Sequence, residues 1–236
     1  MLNLYNKKRC YSTKIQPEKL QIQLTHFKQK SNWDCGVSCV LMVLPKVKRE
    51  EFLNNFSQIC KSEGFNKSTW TIDLCYLLKK FQVPHIFYTI TLGVHEGYRE
   101  NSFYNTILSK DEHRINARFK EAENVGIVVR KQSVSMLEII SHLTNGPVIV
   151  LTNAKILSCD ICKFNKISRE FRKCIPWPAP YQGHYVVLCG FDIHNEKLFY
   201  RNPSFNDRKY LNKNKFLVER RSRLLNSAFL TTPAKL

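Results

Sequence analysis

Three apolar segments in the second half of the chain constrain its fold most strongly. The segment PVIVLTN, residues 147–153, has the length and the branched side chains of a buried strand. HYVVLCGFD and KLFYRNP come later, and His194 and Asn195 between them predict a hairpin turn. The first half of the chain has mainly helical periodicity instead. This order predicts an α+β fold in which N-terminal helices pack on a C-terminal antiparallel sheet.

Apolar residues at helical spacing recur through the rest of the chain. We predict that Asp34 caps the first helix, that Ser68 or Thr69 caps the third, and that the last helix starts at Ser133. Short strands are predicted within residues 21–29, 83–92 and 126–132. The predicted helices cover residues 35–44, 48–60, 68–81, 95–124 and 133–146.

Composition supports one folded domain. Of the 236 residues, 43% are hydrophobic and 12% aromatic, which is enough to build a core. We predict a basic tail at residues 1–20 and a single domain at 21–236, with insertions near 95–124 and 154–182. The apolar runs fall short of the roughly 20 residues of a membrane-spanning helix, so no membrane span is expected.

The chain is strongly basic, with a formal net charge of +18. Such a charge attracts nucleic acids, anionic membrane surfaces and acidic proteins. The lysines are spread along the sequence, however, and no RNA-binding signature accompanies them. We therefore favour a solvated basic surface over a nucleic-acid-binding role.

Cysteine usage indicates the compartment. The nine cysteines are odd in number and we expect no secretory signal, so a disulfide framework is not predicted. A reducing compartment is expected, with the cytoplasm favoured and the nucleus as an alternative. The stretch MLNLYNKKRCYSTK lacks acidic residues and faintly resembles a mitochondrial presequence, which makes mitochondrial import a further alternative.

Cys35 has the surroundings of a nucleophile. It lies at the predicted start of a helix, where free backbone N–H groups stabilise an anion and lower the pKa of a thiol. Gly36 follows it, and the absence of a side chain there is expected to let a substrate approach. The alternative is that Cys35 is a small buried residue of the core.

A nucleophilic thiol needs a base and a residue that orients the base. His184 begins one late strand and Asn202 ends the next, so a turn centred on residue 193 would make them neighbours. Gln29, six residues before Cys35, has a side-chain amide that could stabilise an oxyanion. The alternatives are a structural histidine and a turn asparagine.

These residues resemble the papain-like peptidases, especially the bacteriocin-processing branch. The similar features are Gln29, the Asp-Cys-Gly step at residues 34–36, the strand that starts at His184, and the Asn202-Pro203 step. The resemblance implies Cys35 as nucleophile, His184 as base, Asn202 as orienting residue and Gln29 in the oxyanion hole. Asn202 stands where that branch has an aspartate, although papain itself has an asparagine in this role.

Most of the chain, from about residue 20 to 231, is similar to the guanylyl cyclase domain-containing proteins. The shared features are WDCG at 33–36, a Cys-x-x-Cys pair at 159–162, YQGH at 181–184 and the Asn202-Pro203 step. This resemblance implies a guanylyl cyclase as an alternative function. The sequence has no phosphate-binding glycine loop of the P-loop type, and Asp73, Asp192 and Asp207 lack a recognisable metal-ligand spacing.

Cys159, Cys162 and Cys174 form a weak candidate zinc site. The spacing of the first two suits zinc, but a fourth ligand such as His142 or Cys189 would have to come from elsewhere in the fold. An ordinary loop or core role is favoured, and a redox pair is a further alternative. We predict no metal and no cofactor.

Three functions are therefore compared. The favoured one is a papain-like cysteine hydrolase acting on a peptide, isopeptide or other amide, with a peptide or protein as its partner. The alternatives are a guanylyl cyclase and a catalytically inactive papain-like scaffold that binds a partner. The sequence does not predict the substrate or the oligomeric state.

Overall fold

The computed structural model describes residues 17–64, 68–94, 102–154, 157, 183–205, 212–213 and 227–232. Within these ranges the helices are α1 (Cys35–Val43), α2 (Lys46–Asn54), α3 (Phe56–Ser62), α4 (Thr71–Lys80), α5 (Ser102–Glu121) and α6 (Met136–Leu143). The strands are β1 (Lys19–Gln21), β2 (His85–Thr89), β3 (Val128–Lys131), β4 (Val148–Asn153), β5 (Gly183–Asp192), β6 (Lys197–Arg201), β7 (Asn212–Lys213) and β8 (Ser227–Thr231). The mixed content confirms the predicted α+β class.

One sheet joins the strands, in the order β3-β2-β8-β4-β5-β6-β7, and β1 pairs with β5 beyond the end of β4. Its pairs are antiparallel except β2 with β3, which is parallel. The exception arises because α5 connects β2 to β3, and a crossover of that kind brings the next strand back in the same direction. The sheet therefore differs from the prediction in being mixed and in taking strands from both halves of the chain.

Helices cover both faces of the central strands. Tyr185 and Val187 of β5 pack in the core cluster that contains α1 and α4, whereas Val186 and Leu188 pack with residues of α6. Successive residues of a strand face opposite sides of a sheet, so both faces of β5 must be apolar. This is why β5 is a continuous apolar run in the sequence.

The predicted element ends are shifted in several places. The predicted helix at 48–60 is two helices, α2 and α3, separated at Asn55. Trp70, rather than Ser68 or Thr69, is the cap residue of α4. Ser135, rather than Ser133, caps α6, because its hydroxyl accepts the N–H of Glu138. β1 begins at Lys19, within the segment predicted as a tail, and the single-domain boundary stays a prediction.

A buried charge cluster fastens α5 to α4. The Asp73 side chain on α4 is fully buried and accepts hydrogen bonds from Arg114 and from Arg118, the latter at 2.7 Å. Burial raises the pKa of the Asp73 carboxyl, and the two guanidinium groups oppose that rise. Removing either arginine would leave the buried Asp73 carboxylate with less compensation, which is costly.

No helix in the described ranges is both long enough and apolar enough to cross a membrane.

The absence of a side chain at Gly36 lets α1 pack closely against α4 and β5. A Cβ at this position would lie 2.9 Å from Leu74 Cδ1 and 3.1 Å from Tyr185 Cδ2. The space beside Gly36 is therefore filled by side chains of α4 and β5. The expectation that this glycine leaves room for a substrate is wrong, since its small size serves packing.

We predict that Gly36→Ala destabilises the protein by about 1–3 kcal/mol, the usual cost of overpacking a core. Alanine normally stabilises a helix relative to glycine by about 1 kcal/mol. A decrease in the free energy of unfolding would therefore identify overpacking as the cause. Urea denaturation measures it. The cost should be smaller in a Leu74→Val background, and a stabilising Gly36→Ala would contradict the packing argument.

Acid should weaken the fold through two partly buried histidines. Burial lowers the pKa of His85 and of His142, which bonds the Thr231 carbonyl at 2.8 Å. In the unfolded chain these groups titrate near about 6.5, so below that pH the unfolded state binds more protons. The free energy of unfolding should therefore fall as the pH drops from about 6.5 through the folded pKa values.

The matched variants are His85→Gln with His142→Gln, and His194→Gln at an exposed turn as the control. Denaturation curves at several pH values should show a flatter pH dependence for the double variant only. An equally steep dependence in the double variant would assign the acid sensitivity to other groups.

Candidate active site

Cys35 lies where the start of α1 meets β5. Its side chain is almost buried, with 7% of the residue exposed. Backbone groups of Tyr185 and Gly36 hydrogen-bond to the sulfur. Tyr185 directly follows His184, so the helix brings the thiol beside the strand that carries the candidate base.

The resting thiol differs from the prediction. Burial raises the pKa of Cys35, and the neighbouring Asp34 carboxylate raises it further. Hydrogen bonds from the backbone of Tyr185 and Gly36 oppose this shift without cancelling it. The expected lowering of the thiol pKa at the helix start is therefore wrong, because desolvation of the thiolate outweighs the backbone groups.

Asp34 occupies the cap position of α1 but does not cap it with its side chain. Its carboxylate oxygens accept the backbone N–H groups of Lys30 and Ser31, each at 3.0 Å. The residue therefore closes the loop that leads from Gln29 to Cys35. Its role is to shape the segment that carries both of these candidates.

His184 and Asn202 form the contact that the sequence predicts. His184 Nε2 lies 2.8 Å from Asn202 Oδ1, and both residues are 7% exposed. The predicted turn centre is nevertheless wrong. Asp192 pairs with Lys197, which centres the turn between His194 and Asn195, and a bulge between Leu188 and Gly190 shifts the register again.

The bulge changes which residues face each other. Val187 pairs with Arg201, so continuing the same register by three residues places His184 opposite Ser204 rather than Asn202. The Ser204 hydroxyl lies 3.3 Å from His184 Nε2, in agreement with this placement. Sequence reasoning missed Ser204 because it centred the turn on residue 193, which places His184 opposite Asn202.

The hydrogen bonds assign the tautomer of His184. The backbone N–H of Ser204 donates to Asn202 Oδ1 at 3.0 Å, and a backbone N–H can only donate. The Asn202 atom at this point is therefore the carbonyl oxygen, which can only accept from His184 Nε2. Nε2 carries the proton, which leaves the Nδ1 lone pair of the neutral ring able to take up another.

The environment of His184 favours its neutral form. Burial lowers its pKa, and the hydrogen bond to Asn202 partly opposes that shift. A raised thiol pKa and a lowered imidazole pKa together favour a neutral pair over a thiolate and an imidazolium. Within the described ranges no hydrogen bond is formed between the Cys35 sulfur and His184, so their direct contact stays a prediction.

Gln29 also belongs to this group of residues, but the contacts that hold it there differ from the predicted oxyanion contact. Its Oε1 accepts the Ser204 hydroxyl at 3.0 Å, and its Nε2 donates to the Ser31 carbonyl at 2.7 Å. Its backbone N–H also donates to the Pro203 carbonyl at 2.9 Å. These bonds place Gln29 beside the His184 and Asn202 pair, and its part in an oxyanion hole stays a prediction.

The acidic residues considered for a cyclase have other partners. Asp73 is held by Arg114 and Arg118, while Asp192 accepts bonds from Asn195 and pairs with Lys19. Asp207 lies outside the described residues.

Metal binding was predicted only weakly. Across the parts of the chain that the structure describes, no three His, Cys, Asp or Glu side chains are grouped to hold a metal ion. The weak zinc candidates Cys159, Cys162 and Cys174 lie outside those parts. Of the fourth ligands considered, His142 bonds the Thr231 carbonyl and Cys189 is fully buried.

The raised thiol pKa predicts how Cys35 is alkylated. Its rate with iodoacetamide should rise with pH without a plateau until at least about pH 9, since only the thiolate reacts. Mass spectrometry of Cys35 peptides measures the rate, with Cys35→Ala as the background. A plateau beginning near about pH 6–7 would reveal a thiolate–imidazolium pair and contradict the neutral resting state.

Comparison with known proteins identifies the family. The model of the family described as guanylylate cyclase matches residues 24–224. Guanylyl cyclase 1 of Arabidopsis thaliana is 32% identical over 195 residues, which are 80% of this chain and 67% of the plant protein. These matches support the cyclase alternative more directly than the papain-like hydrolase. The chain belongs to the guanylylate cyclase family.

Proposed function

We propose that the protein is a papain-like, thiol-dependent amide hydrolase. The observation that carries this proposal is the 2.8 Å bond between His184 Nε2 and Asn202 Oδ1 at the start of β5, the strand beside which Cys35 lies. A nucleophile, a base and a residue that orients the base are the parts of a nucleophilic triad. Cys35, His184 and Asn202 are assigned these three roles.

The neutral resting state implies general-base catalysis. As the Cys35 sulfur attacks the substrate carbonyl carbon, its proton passes to His184 Nδ1 and the carbonyl π electrons move to oxygen. Collapse of this intermediate breaks the C–N bond, and the leaving amine takes the proton from Nδ1. Asn202 keeps its bond to Nε2–H throughout, which holds the ring in one orientation.

The second half of the reaction returns the thiol. His184 Nδ1 takes a proton from water as the water oxygen attacks the thioester carbonyl. The C–S bond then breaks, the acid leaves, and the sulfur recovers a proton from the imidazolium. Gln29 is assigned to the oxyanion through the second N–H of its amide, because the first donates to Ser31.

The second candidate is a guanylyl cyclase, and the family comparison favours it. The name of the Arabidopsis relative implies conversion of GTP to cyclic GMP. That reaction needs a base for the 3′-hydroxyl and positive groups or metal ions for the phosphates. Asp73 and Asp192 would have to give up their present partners to bind a metal, and no covalent step at Cys35 is required.

We predict that an electrophilic amide-based peptide probe labels Cys35. His184→Ala should slow labelling by roughly a hundredfold or more, the scale of general-base catalysis, and Asn202→Ala should slow it less. Gln29→Ala should slow it by roughly ten- to a thousandfold. Intact-mass spectrometry measures the rates. Cys60→Ala is the matched control, because Cys60 is 8% exposed against 7% for Cys35.

The cyclase is tested on the same preparations. Wild type and Cys35→Ser are incubated with GTP and Mg²⁺ or Mn²⁺, and cyclic GMP is quantified. The hydrolase proposal predicts probe labelling and no cyclic GMP. Metal-dependent cyclic GMP production that survives Cys35→Ser would establish the cyclase instead. The absence of both probe labelling and cyclic GMP would support the inactive binding scaffold.

A further inference from the structure

Ser204 lies between the candidate base and the candidate oxyanion residue. Its hydroxyl is 3.0 Å from Gln29 Oε1 and 3.3 Å from His184 Nε2. Its backbone N–H bonds Asn202 Oδ1 at 3.0 Å. One residue therefore contacts three of the four side chains assigned to the reaction.

The direction of each bond follows from backbone groups at the two ends of this network. The Ser31 carbonyl can only accept, so the Gln29 atom 2.7 Å from it is the amide nitrogen. Gln29 Oε1 then faces Ser204 and takes the single hydrogen of its hydroxyl. Having given that hydrogen away, the Ser204 oxygen can only accept from His184 Nε2–H.

At the other end, the Ser204 N–H fixes the Asn202 carbonyl oxygen, and Asn202 accepts from the same Nε2–H. The hydrogen on Nε2 is therefore shared between two oxygens, with the shorter contact to Asn202. The bond directions deduced from the Ser31 carbonyl and those deduced from the Ser204 N–H are therefore consistent with each other. In that arrangement the imidazole is protonated on Nε2 and the Gln29 amide points its nitrogen away from Ser204.

We propose that Ser204 is a positioning residue that couples Gln29 to His184, an inference that rests on the proposed hydrolase function. Its hydroxyl holds the Gln29 amide in the orientation that presents an N–H to the oxyanion. The same oxygen stabilises the Nε2–H of His184, which keeps Nδ1 as the basic nitrogen. Ser204 itself makes no bond to the reacting atoms.

Removing the hydroxyl tests this role cleanly, because the backbone contacts do not depend on it. Gln29 N–H still bonds the Pro203 carbonyl, and Phe205 N–H still bonds the Asn202 carbonyl. Ser204 is also exposed, so Ser204→Ala leaves no buried cavity. Ser204→Thr restores a hydroxyl at the same position and is the conservative rescue.

The experiment measures acylation of Cys35 by the amide-based probe in wild type, Ser204→Ala, Ser204→Thr, Gln29→Ala and the Ser204→Ala/Gln29→Ala double variant. Ser204→Ala should slow acylation by roughly tenfold, the scale of one hydrogen bond. The double variant should be slowed by less than the product of the two single penalties, because part of the Ser204→Ala penalty acts through Gln29. Ser204→Thr should recover most of the rate.

A second readout does not depend on activity. The ring nitrogens of His184 are titrated by ¹⁵N NMR in wild type and Ser204→Ala. Loss of an acceptor that favours the protonated ring should move the His184 titration to lower pH in Ser204→Ala, and Ser204→Thr should reverse the shift.

The outcomes separate the two proposals. Penalties that multiply in the double variant, or a His184 titration that Ser204→Ala leaves unmoved, would each overturn the coupling role. If wild type is not acylated at all, the hydrolase function fails, and the His184 titration alone then decides whether Ser204 couples to the base.

Discussion

The arrangement of the site depends on one packing contact, between the first turn of α1 and the start of β5. Gly36 has no side chain, so the helix approaches Leu74 and Tyr185 closely enough to fill the space between them. The same approach brings the Cys35 sulfur to the backbone of Tyr185. Cys35 and His184 are 149 positions apart in the sequence. The packing contact thus brings Cys35 beside β5, the strand that contains His184.

Close packing also determines the electrostatics of the site. It removes water from both the thiol and the imidazole, which raises the pKa of Cys35 and lowers that of His184. Both shifts favour neutral groups, so in the proposed hydrolase a base would have to act during the attack. Hydrogen bonds that hold the base in one tautomer then matter more, and the Asn202 and Ser204 contacts provide them.

Sequence patterns predict the α+β class and most helices and strands, because these depend on local periodicity. The His184–Asn202 contact forms as predicted, although the turn centre from which it was predicted is wrong. The bulge in β5 was not predictable, since it depends on how β1 packs across Gly190. Ser204 was missed because the turn is centred between His194 and Asn195 rather than on residue 193. The low thiol pKa was wrongly expected because the sequence indicates a helix start but not the depth of burial.

The distance between Cys35 Sγ and His184 Nδ1 tests the central claim most directly, since the hydrolase proposal requires both atoms in one site. A crystal structure of the protein with a peptide aldehyde bound at Cys35 would measure it. The account predicts that Nδ1 lies within about 4 Å of the sulfur or of the new hydroxyl, with Nε2 still bonded to Asn202. A separation above about 6 Å, or a ring turned so that Nδ1 faces away, would contradict it.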